Sequence, residues 1–487
     1  MTHFFSTLGK KALPAFLLFA IWLSYLILTL LLYYPVLDAF FLWDDISILS
    51  IATPLGEKSF WDCWQPLGNG FWRPIPLSIS WLLVLSFGPS PFAFHLFPIL
   101  LHSLNALLLR QVAIANSVGS KWGTLLGYLF IGNFAVFPAA SMMQNCMDLL
   151  LGTGVLFTLL IVNAGKPDFP IRQFFAVFIL TLACKETAVI LPVIALLWLW
   201  GKSSEHSWEK LKIFLPRGLL MISWSFIALG FILTMQFSSR RSYAQEGMLD
   251  LQPTSIIRQF CDYILSLVFP YIHICEFPGN PVILSHQLLW MIRLSVIALL
   301  FVLVWQMLYN KKMIIFSLMM IVVCILLPAC LLKGAPHGRF LYAALAPLFL
   351  LVGIGTTNAS RMTQKIVLGL SLILLPISLV SFSYSPSVTS YVQSAKQVEI
   401  FLNESIRVSE DWPTDTEVAI YGHPHPGDNL TRWTYCQQLY QLFLPEKNAS
   451  LLLDMVHPST ELVYRFEGGV LEKVQDDSLE GNEPNSE

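Results

Sequence analysis

Charge is what this 487-residue chain has least of. Asp, Glu, Lys and Arg make up 12% of it, about half the share of an average soluble domain, so a soluble globular enzyme is excluded. The net charge of −2 is spread without a basic tract, which excludes a nucleic-acid partner. The eight cysteines are scattered through apolar runs with no C-x-x-C pair. They read as small core residues, and neither a zinc site nor a disulfide framework is expected. The chain also lacks a glycine-rich phosphate cradle and an Asp-x-Asp metal motif. Nothing therefore points to a nucleotide donor or its metal: no cofactor is expected, and no residue is assigned to a metal. No internal repeat of the kind found in two-halved transporters is visible.

Apolar residues are present in excess, at 55% with a mean hydropathy of +0.64. That is the signature of a polytopic membrane protein. Runs long enough to cross occur at Ala12–Tyr34, Phe92–Ala113, Trp122–Met142, Cys146–Val162, Ile171–Cys184, Thr187–Trp200, Ile213–Phe237, Gln287–Tyr309, Met313–Leu332, Phe340–Gly355 and Ile366–Ser383, about eleven helices. The first is too long and uniformly apolar for a signal-peptide core and reads as a retained helix. Pro74–Phe87 is apolar but short and opens on a Pro pair, so it is expected to lie along the interface as an amphipathic helix.

Lys and Arg fall in alternate loops: Lys10–Lys11, Arg110 with Lys121, Lys166 with Arg172, Lys202 with Lys210 and Lys212, Lys311–Lys312, and Arg361 with Lys365. By the positive-inside rule these loops are cytoplasmic. Asp44, Asp45, Arg73, Lys185, Glu186, Arg240, Arg241, Lys333, His337 and Arg339 then lie on the outer side, at helix ends. Residues 1–384 form the membrane domain, with outer loops at 35–91 and 238–286. Residues 385–474, which include the weakly alternating TEVAIYG, form a small α/β domain on the outer side, and 475–487 form a disordered acidic tail.

The most costly stretch is FFLWDDISIL, Phe40–Leu49, where Asp44 and Asp45 stand in apolar surroundings. An ionised Asp at a bilayer centre costs about 2.5–3.5 kcal/mol, so the pair calls for an interfacial position or a function. Adjacent side chains diverge by about 100° on a helix. One of the two therefore faces a reacting atom, and the other orients it or partners a metal. Further polar residues follow: Arg73 in FWRP, His95, His102 and Asn105 close to one helical face, Asp148 in MDLLLG, Lys185–Glu186 in LACKETAVILP, and Arg339 and Tyr342 in GRFLYAALAP. His102 and Asn105 read as interhelical hydrogen bonders. Arg339 has the guanidinium fork and the helix start that suit a phosphate.

The segments Phe40–Leu197 and Lys333–Gly355 resemble the membrane-embedded GT-C glycosyltransferases, in particular the protein O-mannosyltransferase and aminoarabinose-transferase relatives. The resemblance implies a polytopic all-α membrane fold of GT-C type. It also implies transfer of a sugar from a polyprenyl-phosphate-linked donor to a glycan, lipid or protein acceptor on the extracytoplasmic side, with inversion. Asp44 would be the general base, with Asp45 the second choice. Arg339, Lys185 and Arg73 would hold the donor phosphate, supported by Glu186, His95, Tyr342 and Asp148. One departure stands out. Where relatives carry an acid and then an Arg ahead of Asp-Leu-Leu, this chain reads FPAASMMQNCMDLLLG, keeping Pro138 and Asp148 and losing the other two. The rival classes are a lipid or glycan transporter and a noncatalytic scaffold. The expected location is a bacterial inner membrane with the site facing the periplasm, the alternative being the endoplasmic reticulum.

Overall fold

The computed structural model describes residues 15–42, 44–51, 59–67, 71–133, 136–163, 170–202, 208–238, 252–268, 338–369 and 386–409, four strands between 417 and 473, and a few single positions. The expected spans Gln287–Tyr309 and Met313–Leu332, Arg240 and Arg241, and the acidic tail lie outside the described residues. So does most of the 238–286 loop.

The helices are α1 (Ala15–Leu37), α2 (Asp44–Ile51), α3 (Pro74–Phe87), α4 (Pro91–Ala115), α5 (Ser120–Ile131), α6 (Phe137–Ser141), α7 (Cys146–Asn163), α8 (Ile171–Leu182), α9 (Leu191–Lys202), α10 (Trp208–Ser238), α11 (Pro253–Val268), α12 (Tyr342–Asn358) and α13 (Pro386–Ser409). Among the described residues, five helical segments are long and apolar enough to cross a membrane: Ala15–Leu37, Pro91–Ala115, Met143–Asn163, Gly218–Met235 and Arg339–Asn358. The protein is thus a mostly helical integral membrane protein with a small C-terminal sheet.

Two of the next three segments differ from the sequence expectation, and the third, the pair of short helices within Ile171–Trp200, agrees with it apart from a later second start. Trp122–Met142 is divided: α5 ends at Ile131, and the chain resumes as the five-residue α6, with Pro138 in its first turn where a missing N–H costs nothing. Ile171–Trp200 forms two 12-residue helices, each about 18 Å long, joined by a hinge that includes the 3-10 turn Glu186–Ile190. Helix α3 does form over Pro74–Phe87, but it is not amphipathic. It buries Leu77 and Val84 and exposes Leu82, Leu85 and Phe87, so both faces are apolar.

Helix α4 is the centre of the bundle and packs on α1, α5, α7 and α12. Small residues allow the close approaches. A Cβ at Gly152 of α7 would sit 2.7 Å from the Tyr342 ring of α12, so only glycine fits beneath that ring. The polar residues inside the bundle tie helices together, as expected for His102 and Asn105. Asn105 donates to the Tyr342 hydroxyl and to the Leu149 carbonyl, both at 3.0 Å, and accepts from Thr153 at 2.8 Å. The same hydroxyl lies 2.9 Å from His102 Nδ1. It accepts a hydrogen bond from Asn105, which leaves its own O–H free to donate to that nitrogen. Tyr342 is therefore a bundle pin. On the far side of the bundle, Tyr25 of α1 donates to the Thr124 carbonyl of α5 at 2.9 Å.

Helix α13 begins one residue after the expected domain boundary, yet its apolar stripe, Val388, Tyr391, Ala395, Val398 and Leu402, belongs to the same continuous core as the bundle. It packs on α1 and on β4. The four strands, β1 (Glu417–Tyr421), β2 (Ser450–Leu453), β3 (Leu462–Glu467) and β4 (Val470–Lys473), are ordered β2-β1-β3-β4. Strand β1 is parallel to both neighbours, and β3 and β4 are antiparallel.

Candidate active site

The polar residues singled out in the sequence converge at one end of the bundle. They come from α2, the N-terminal ends of α3, α4 and α7, the hinge between α8 and α9, and the turn that opens α12.

Asp44 and Asp45 open α2. Asp45 is buried, and its Oδ1 accepts the backbone N–H of Gln144 at 2.8 Å. The Asp44 side chain lies outside the described residues. The next residue, Asn145, is buried and bridges two elements: its amide donates to the Pro138 carbonyl at 2.7 Å, and its Oδ1 accepts from Arg339 Nη1 at 3.0 Å. The ring of Phe340, beside Arg339, lies 5.0 Å from that guanidinium carbon and 4.8 Å from Lys185 Nζ. Both cations thus share one aromatic ring.

Lys185 forms a buried ion pair with Asp148 in the first turn of α7. Next in the chain, Glu186 accepts two hydrogen bonds from Arg73, 3.0 Å from Nε and 2.7 Å from Nη2, in a bidentate fork. The Arg73 guanidinium also lies 4.1 Å over the Phe71 ring, and Ile75 N–H donates to the Ala183 carbonyl at 3.2 Å. The start of α3 is therefore fastened to the hinge by charge and by backbone. Burial pushes the Glu186 carboxyl up, but the Arg73 guanidinium, through its charge and hydrogen bonds, and Lys185 together hold it below its ordinary value. Burial pushes the Lys185 ammonium down, with Asp148 and Glu186 offsetting part of that.

The charge count along this network is informative. Arg73 is matched by Glu186 and Lys185 by Asp148. Among the described residues Arg339 has no carboxylate partner, only the neutral Asn145, and its Nε is buried without a hydrogen bond. The cluster thus holds one guanidinium whose charge the described residues do not neutralise, a few bonds from the fixed carboxylate of Asp45.

His95 joins the edge of this region. Its ring nitrogens lie 2.5 Å from the Ser141 carbonyl and 2.8 Å from the Ala39 carbonyl, so the ring is locked between α6 and the end of α1. Tyr391 of α13 packs edge-on against His95 and Phe137 at 6.3 and 6.2 Å between centroids. Burial, with the negative charge of Asp45 nearby, pushes its phenol well above the ordinary range.

Of the sequence-predicted residues, the structure brings together Asp45, Arg73, His95, Asp148, Lys185, Glu186 and Arg339, and it places Tyr342 deeper in the bundle. Gln144, Asn145, Phe340 and Tyr391 were missed. The consecutive amides Gln144–Asn145 inside an otherwise apolar run were a visible signal, whereas Phe340 and Tyr391 carried none. Among the described residues no three His, Cys, Asp or Glu side chains cluster as metal ligands.

Fold and site together define a class: a polytopic helical membrane protein with a charged, largely buried cluster at one end of its bundle. No family model matches the sequence, and no curated protein matches it. Among solved structures the chain is similar to the crystal structure of ArnT from Cupriavidus metallidurans bound to undecaprenyl phosphate. The TM-score is 0.44 and the identity 11%, over 88% of this chain and 89% of that one.

Proposed function

We propose that the protein is a GT-C type membrane glycosyltransferase that moves a sugar from a polyprenyl phosphate to an acceptor at the membrane surface that bears the cluster. The observation that carries this is Arg339. A guanidinium without a described counter-charge, held by a neutral amide and flanked by an aromatic ring, has the chemistry to bind a phosphate. Lys185 is engaged by Asp148 and Arg73 by Glu186, so the phosphate falls to Arg339 first. The two ion pairs fix the walls around it.

Asp45, buried and bonded to the Gln144 amide, has the surroundings of an orienting group. Asp44, about 100° further round the first turn of α2, takes the acceptor proton. As the acceptor oxygen attacks the sugar's anomeric carbon, the bond to the carrier phosphate breaks, and Arg339 stabilises the charge that develops there. Positioned proton transfer of this kind is worth about 10²–10⁴ in rate.

The test is lipid mass spectrometry of cells with and without the protein, followed by transfer assays with the donor so identified. Asp44→Asn is expected to lower turnover by about 10² or more with donor binding nearly intact. Arg339→Ala is expected to weaken donor binding. If neither variant reduces transfer in folded, membrane-inserted protein, the reading is wrong.

A further inference from the structure

At the end of the bundle opposite the charged cluster, Arg110 presents a separate problem. It lies on α4 fifteen residues beyond His95, about 22 Å along the helix. Its residue surface is fully buried. Its Nε donates to Thr124 Oγ1 at 3.0 Å and its Nη2 to Ser120 Oγ at 2.8 Å, while Nη1 is buried without a hydrogen-bond partner. Among the described residues it forms no ion pair. A buried guanidinium is normally matched by an anion, because desolvation of an unpaired charge costs several kcal/mol.

The surroundings of Arg110 add positive charge. Ser120 and Thr124 belong to the first turn and a half of α5, whose N-cap is Gly119, with no side-chain cap and no acidic residue in the first turn. The leading amides of a helix have no intrahelical acceptor, and the helix dipole puts partial positive charge there. The Arg110 stem runs along that turn, since a Cβ at Gly123 would meet its Cγ at 3.4 Å. Ser120 and Lys121 are exposed, so the hydrogen bond from Nη2 to the Ser120 hydroxyl ties the guanidinium to a residue at the surface. A helix start and a buried Arg thus meet, with Lys121 in the same first turn and no described carboxylate paired to Arg110.

We propose that the α4–α5 turn is a phosphate-binding site, occupied by the headgroup of an anionic phospholipid at the membrane surface opposite the active site. With the Ser120 hydroxyl turned aside, the phosphate oxygens accept from Nη1 and Nη2 of Arg110 and from the first amides of α5. Lys121 adds charge from the rim. Free inorganic phosphate offers the same chemistry, and the two sources separate by experiment.

Delipidated full-length protein in neutral detergent is titrated with dioleoyl phosphatidic acid, with dioleoylglycerol, which has the same tails and no phosphate, and with inorganic phosphate. Thermal unfolding and native mass spectrometry report the outcome. Phosphatidic acid is expected to raise the unfolding midpoint and to bind about tenfold or more tighter than the glycerolipid. Stabilisation by inorganic phosphate, with no preference for the phosphatidic acid, supports the anion site and overturns the lipid as its occupant. Because Arg110→Ala risks misfolding, the decisive variant is Ser120→Asp at an exposed position. It supplies a carboxylate to Arg110 and the helix start, so it should raise the midpoint of lipid-free protein and abolish the preference for phosphatidic acid. A preference unchanged in Ser120→Asp, or no response of the wild type to either phosphate, overturns the proposal.

Discussion

The Lys185–Asp148 pair allows a prediction with opposite signs at opposite pH. Both side chains are 4% exposed, so removing one partner strands a charge with little water to receive it. The stranded group escapes by changing protonation, and that sets the ceiling on the cost. In Lys185→Met the lone aspartate takes up a proton. At pH 7 this lies about three units above an ordinary aspartate's titration, or about 4 kcal/mol. In Asp148→Leu the lone lysine gives one up, for a similar sum from the other direction, about 4.6 kcal/mol. Both fall in the range of about 3–5 kcal/mol typical of broken buried pairs. At pH 5 the Lys185→Met penalty should shrink to about 1.5 kcal/mol, and at pH 9 the Asp148→Leu penalty to about 2 kcal/mol. The double variant leaves no charge and should lie near wild type or above it at every pH. Detergent-driven unfolding in mixed micelles, followed by tryptophan fluorescence, measures all four proteins. Additive single effects, or two penalties that move with pH in the same direction, would refute the view of this pair as one electrostatic unit.

Glu186 is held below its ordinary value of 4.5 by Arg73, so this contact stabilises the fold above about pH 4.5 and is lost as the pH falls through the depressed value. The acid-dependent loss of stability in that window should be absent from Glu186→Gln, which is weaker than wild type above the window and converges with it below. Tyr391→Ala removes a fully buried ring between His95 and Phe137, for about 3–5 kcal/mol, and should release α13 to limited proteolysis before the bundle unfolds. A Cys at Ser478 should react with an impermeant maleimide in intact cells or spheroplasts. Reaction only after lysis would invert the topology and place the Asp pair on the cytoplasmic side.

How much was legible follows from the physics of each element. Apolar length reports a membrane helix directly, so α1, α4, α7, α10 and α12 could be read from composition. Charges in such a chain are few and costly, which is why Asp45, Arg73, Lys185, Glu186 and Arg339 could be singled out before their proximity was known. What could not be read is pairing. Nothing local in the sequence says that Lys185 meets Asp148 while its neighbour meets Arg73, because those contacts depend on how α7, α3 and the hinge pack. Aromatic partners are less legible still. Phe340 and Tyr391 look like any core residue among 35 phenylalanines and 15 tyrosines, and only the fold sets them against cations or beside a carboxylate.

The pair Gln144–Asn145 is where sequence and structure together say more than either alone. The pair lies in FPAASMMQNCMDLLLG, the stretch where the resemblance leads one to expect an acid and then an Arg ahead of Asp-Leu-Leu and the chain has neither. The structure shows that a neutral amide instead accepts from Arg339 at 3.0 Å and fixes it to the Pro138 carbonyl. A carboxylate at that place would neutralise the guanidinium, and the neutral amide positions it without doing so. Asn145→Asp tests this with a change of one functional group. Charge-assisted pairing should leave the protein as stable as wild type or more so, since the new carboxylate meets a ready partner. Donor binding should fall by at least the loss seen in Arg339→Ala, because a negative charge now stands where the phosphate must approach. An Asn145→Asp protein that binds polyprenyl phosphate as wild type does would show that the charge of Arg339 is not what the site offers to a phosphate, and the reading built on it would fail.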